Sequence, residues 1–157
     1  MELKNLRCEY RTCPLEMDVA APLFSWVCRG GALDRTEMRV VVSGDPNFEE
    51  EAFWDSGWVR QNRTSLRCAE TAWPSNARIW WKVMARVDGD EGNVCEAVSW
   101  FETGLLRRED WHGNWIRAAK DCDSPVLVRK FSLKSLPKRA RLFLSGLGFF
   151  ELFVNGV

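Results

Sequence analysis

The 157-residue chain has a single histidine, a single tyrosine and no Cys-x-x-Cys pair among its six cysteines. A zinc centre draws on clustered thiolates and imidazoles, so the composition offers no metal site, and no cofactor motif is present. Net charge is also missing, since 22 Lys and Arg balance 22 Asp and Glu. Nucleic-acid and anionic-membrane partners need a basic surface or stripe. The nearest approach to one, Lys134, Lys138, Arg139 and Arg141, reads as a solvated turn and strand start. No apolar run approaches the roughly 20 residues that span a bilayer. The opening residues, MELKNLRCEY, lack the apolar stretch of a secretory leader. The expectation is therefore a cytoplasmic chain with reduced thiols, in which the Asn62-Arg63-Thr64 sequon is incidental.

What is present is a core-forming composition, 46% hydrophobic, arranged in short strand-like runs. LFSWV (residues 23–27) lies between Pro22 and Gly30-Gly31. TEMRVVVSG follows, with Met38, Val40 and Val42 on one face, and the breaker DPNF ends it. The clearest strand is ARIWWKVMARVD. Ala77, Ile79, Trp81, Val83, Ala85 and Val87 fall on one side, with Arg78, Trp80, Lys82, Met84 and Arg86 on the other. Such alternation with a charged outer face marks a half-buried strand. DGDEGN (88–93) reads as a turn, and CEAVSWFETG returns as the hairpin partner. Strands at this spacing predict an all-β fold, an antiparallel β-sandwich over residues 1–104.

Residues 105–124 read as a linker that ends at Pro125. Three further strand-like segments follow, VLVRKFSL, ARLFLSG and GFFELFV, predicting the start of a second, jelly-roll-like sandwich over 125–157. Three strands cannot close a sandwich, because the open sheet keeps bare edges and an uncovered face. Asn155-Gly156 suits a type I′ hairpin turn, whose two central residues both need positive φ. Only Val157 follows it, so the expectation is that the returning strand belongs to a longer protein.

NLRCEY, APLFSWV, FWDSGWV, ARIWWKVMARVDGDEG, SWFETGL and DW…NWI, in this order and spacing, resemble the N-terminal region of bacterial α-L-rhamnosidases. PVLVRKFSL…RARLFLSGLGFFELFVNGV extends the resemblance into that family's next domain. It implies a fibronectin type III/immunoglobulin-like sandwich, then further sandwiches, then an (α/α)6 barrel that releases terminal α-L-rhamnose with inversion. The inverting reaction needs a carboxylic acid and a carboxylate base set apart by a water. The family places both in the barrel, so no acid of this chain matches them, and the chain alone is expected to be inactive. The implied partners are downstream domains of the same polypeptide and rhamnose-containing glycans. The alternative is a freestanding carbohydrate- or protein-binding sandwich. One departure concerns a tyrosine that often bonds backbone across a corner of such domains. Ile79 or Trp80 stands in that neighbourhood and Tyr10 is the only tyrosine, so the bond is lost or replaced.

The nine tryptophans are the candidates for stacking on sugar rings. Trp26 and Trp81 lie on apolar strand faces and read as core. Trp54 and Trp58 bracket a turn, and Trp111 and Trp115 lie in the linker. These four are the candidate carbohydrate-binding residues, each with packing as the competing role. Glu109 and Asp110 are adjacent on an extended chain and point apart, so they cannot flank one glycosidic bond. His112 has no catalytic partner at a recognisable spacing. The acidic run at 49–51 reads as a solvated loop rather than a calcium site. Ser145, Gly146 and Gly148 lack the spacing and the following helix of a phosphate-binding loop.

Overall fold

The computed structural model describes residues 1–87, 90, 92–120 and 123–157. Asp88, Gly89 and Glu91 of the predicted turn, and Asp121 and Cys122, lie outside the described residues. The chain divides into two compact units, Met1–Trp111 and His112–Val157.

The first unit is a two-sheet antiparallel sandwich. One sheet holds β1 (Glu2–Cys8), β2 (Leu23–Arg29) and β6 (Ser65–Arg67), in the order β1-β2-β6. The other holds β3 (Thr36–Ser43), β4 (Trp54–Asp55), β7 (Arg78–Val87) and β8 (Cys95–Glu102), in the order β4-β3-β7-β8. The short β5 (Val59–Arg60) pairs with β3 beside β4. Each predicted run in this unit forms its strand, because alternation gives each a core face and a wet face. Met38, Val40, Val42, Ile79, Trp81, Val83, Ala85 and Phe101 line one side of the core. Leu3, Phe24 and Trp26 close it from the opposite sheet.

Aromatic contacts tie the two layers together. Phe24 and Trp81 stack tilted at 4.6 Å between ring centroids, and Trp73 meets Phe101 edge-on at 5.6 Å. Burying side chains of this size stabilises the fold by about 1.5–3 kcal/mol each. Among the described residues the buried Trp81 indole Nε1–H has no acceptor, an offset of about 1–3 kcal/mol against that gain.

Tryptophan takes over the missing tyrosine corner. Trp73, ahead of β7, donates its indole N–H to the Val19 carbonyl at 3.0 Å. Beside it the buried Thr103 hydroxyl donates to Pro74 O at 2.6 Å and accepts from Ala77 N–H at 2.9 Å. The unit also extends beyond the boundary predicted at Gly104. Arg108–Asp110 form a 3-10 turn. The Ser75 hydroxyl holds that turn to the sandwich, accepting from Leu106 N–H at 2.9 Å and donating to the Asp110 carboxylate.

The second unit differs from the sequence reading. None of its described residues lies in a strand, although three strands were expected over 125–157. Its apolar side chains stay open to solvent, with Val126 at 86% exposure and Leu136 at 94%. The physical reason is that a strand needs a ladder beside it and a layer above it, and these segments have neither. The Asn155-Gly156 turn does form. Asn155 and Gly156 take φ of 54° and 85°, and Val154 and Val157 exchange backbone hydrogen bonds at 2.9 and 3.3 Å.

Candidate functional site

The outer face of the larger sheet gathers most of the polar chemistry of the first unit. β7 places Arg78, Trp80, Lys82, Met84 and Arg86 there by alternation, opposite Glu102, Trp100, Val98 and Glu96 of β8. Cations lie over aromatic rings along its length. The Arg78 guanidinium sits 4.0 Å over Trp100, the Lys82 ammonium 4.7 Å over Phe48, and the Arg86 guanidinium 4.2 Å over Trp58. Each such stack is worth about 0.5–1 kcal/mol at a partly wet site.

Several carboxylates of the first unit are committed to structural partners. Glu102 is 3% exposed and accepts from Arg78 Nε at 3.0 Å and Nη2 at 2.7 Å. Glu37 accepts from Arg86 at 2.8 Å. Asp55 pairs with Arg39, whose guanidinium, with the Gly57 N–H, holds that carboxyl below the usual range despite partial burial. Asp45 is held low by the backbone N–H groups of Asn47 and Glu49. Asp110 accepts from Ser75 and from Arg107 N–H. Asp55 and Asp45, held ionised by a guanidinium and by N–H donors, are the reverse of the raised-pKa acid that glycoside hydrolysis requires.

The four candidate tryptophans differ in their own surroundings. Trp54 packs against the core cluster, and the Arg86 guanidinium lies over the Trp58 ring. Trp111 is 43% exposed in the first unit, and Trp115 is 71% exposed in the second. Glu109 and His112 are exposed. The sequence reading missed the stacking of β7 cations on Phe48 and Trp58. Those rings come from loops whose course no strand period announces.

Asp18, Thr71, Trp73, Leu106 and Arg107 line an open surface depression of about 390 Å3. Trp73 has already spent its indole N–H on Val19. The two buried thiols are quiet. Burial pushes Cys8 up to about 12 and Cys68 up to about 11, so neither is a thiolate at neutral pH. No cluster of metal-ligating side chains occurs among the described residues.

Comparison with known proteins places this geometry. Residues 3–107 match the family described as Rha78A-like, N-terminal immunoglobulin domain. An alpha-L-rhamnosidase of Alteromonas sp. (strain LOR) is 26% identical over 91% of this chain and 17% of its own length. One from Streptomyces avermitilis is 33% identical over 70% of this chain and 11% of its own length. Two solved structures superimpose on 74% of the chain at 27% identity. The alpha-L-rhamnosidase from Dictyoglumus thermophilum does so with a TM-score of 0.62, covering 14% of that protein. The Streptomyces avermitilis alpha-L-rhamnosidase complexed with L-rhamnose gives 0.61, covering 12%. The chain thus spans less than a fifth of the length of the curated relatives it matches.

Proposed function

The chain belongs to the Rha78A-like N-terminal immunoglobulin domain family, and from that premise we propose that it is a non-catalytic accessory part of an α-L-rhamnosidase-like glycoside hydrolase. One observation carries the reading: the match to rhamnosidases takes in the immunoglobulin domain and only 17% of the Alteromonas relative. The commitment of several carboxylates to arginines and backbone donors supports it. In this reading residues 125–157 are the opening strands of a second β-sandwich, completed by chain beyond them. The sandwich of residues 1–111 then serves as a rigid flank that packs on later domains. Release of terminal α-L-rhamnose with inversion belongs to the whole protein, and rhamnose-containing glycans are its substrates.

The test is hydrolysis of p-nitrophenyl α-L-rhamnoside by the 157-residue chain. No release above the enzyme-free rate is expected, and turnover that scales with protein concentration would overturn the reading. Titration with L-rhamnose, followed by tryptophan fluorescence, is expected to give a flat response, since Trp54 packs on the core and the Arg86 guanidinium covers the Trp58 ring. Saturable quenching would instead support a carbohydrate-binding module.

A further inference from the structure

β8 is the outermost strand of its sheet. The Glu102 backbone turns away from β7, donating to Pro14 O and accepting from Met17 N–H. Ladder alternation turns the backbones of Glu96, Val98 and Trp100 the same way. No hydrogen bond from those three outward backbones is found among the described residues. Proteins ordinarily blunt such an edge with charge, proline, a bulge or a covering loop. β8 reads CEAVSWFE, has neither lysine nor proline, keeps an unbroken register with β7, and carries a single charge, Glu96, in the open stretch. Val98, at the middle of the open stretch, is 47% exposed.

We propose that this edge, residues 96–100, pairs antiparallel with the same edge of a second copy of the chain, about a twofold axis at Val98. In that register Val98 meets its own copy, and Glu96 meets the partner's Trp100. The outward backbones then oppose one another as hydrogen-bonded pairs, the arrangement an antiparallel ladder requires. Charge is complementary as well. Arg78 lies over Trp100 and spends Nε and Nη2 on Glu102, leaving Nη1 to receive the partner's Glu96 carboxylate, which within its own chain has only a long, exposed contact to Lys82 at 3.9 Å among the described residues. The twofold axis makes that exchange twice. The edge already pairs with backbone at its other end, where Met17 bridges Thr103 and Pro14 and Met17 bond Glu102.

Sedimentation velocity of the whole chain over a concentration series tests the pairing, with two variants. Val98→Pro removes the central outward N–H and leaves the β7 ladder whole. Val98→Lys sets two like charges on the axis through an exposed side chain, and it decides the question if the proline variant fails to fold. A concentration-dependent dimer, weakened about tenfold or more by Val98→Lys, is the expected result. A monomer at every concentration would overturn the proposal. So would association that Val98→Lys leaves unchanged, which would point to the apolar residues of 112–157 instead.

Discussion

Residues 1–111 and 112–157 are written in the same alphabet of alternating apolar runs, yet only the first stretch folds into strands. In the first unit Phe24, Met38, Trp81 and Phe101 are fully buried. In the second, Val128 is 75% exposed and Phe131 72%. The contrast teaches that alternation assigns faces, whereas a strand exists only where a neighbour completes its ladder and an opposing layer covers its face. β7 has both, between β3 and β8 and over Phe24. The run VLVRKFSL has neither.

Substitution of the same kind in each stretch should separate them most sharply. Trp81→Ala is expected to cost about 4 kcal/mol in urea unfolding, while Phe149→Ala should leave the transition where it is. Trp81→Phe should cost far less than the alanine change, since it removes the unpartnered indole N–H along with the lost area. A comparable loss at Phe149 would show that the second stretch has a core of its own.

Polar anchors come next. Arg78→Ala removes two charge-assisted bonds from the buried Glu102 carboxylate and should destabilise the first unit by about 2 kcal/mol. Ser75→Ala, which unties the 3-10 turn from the sandwich, should cost about 1 kcal/mol. It should also open residues 105–111 to proteolysis, shortening the stable unit toward Gly104.

Acid provides a further contrast. Because the folded Asp55 carboxyl sits below its usual value, its contribution is present above the unfolded pKa and fades as pH falls through the folded one. Asp55→Asn should therefore lower thermal stability near neutral pH and flatten its decline on acidification, read as the melting temperature at about pH 7 and about pH 3. The smallest effect is expected at Trp58→Leu, which leaves Arg86 its pairing with Glu37 and should cost about 0.5 kcal/mol.

The fold of the first unit was legible because its strands are long enough to show their period. TEMRVVVS and ARIWWKVMARV could be assigned a core face from spacing alone, and Trp26 and Trp81 fell inside. Trp73 was not legible as a corner residue. Its role depends on Val19, 54 positions away, and no local pattern links the two. The cation stacks on Phe48 and Trp58 were hidden for the same reason. At residues 125–157 local pattern was read as strand, and only the Asn155-Gly156 turn, which depends on its own two φ angles, formed as expected. Among the candidate site residues, the packing of Trp54 on the core and the Arg86 cation over Trp58 were not legible either, because both partners are distant in sequence.

The most direct test is amide hydrogen exchange of the whole chain, followed residue by residue. Slow exchange is predicted for the ladder amides of β2, β3, β7 and β8, with rapid exchange throughout 112–157. Protection across residues 126–133 and 148–154 equal to that of β7 would contradict the account, because it would mean that those strands complete themselves without further chain.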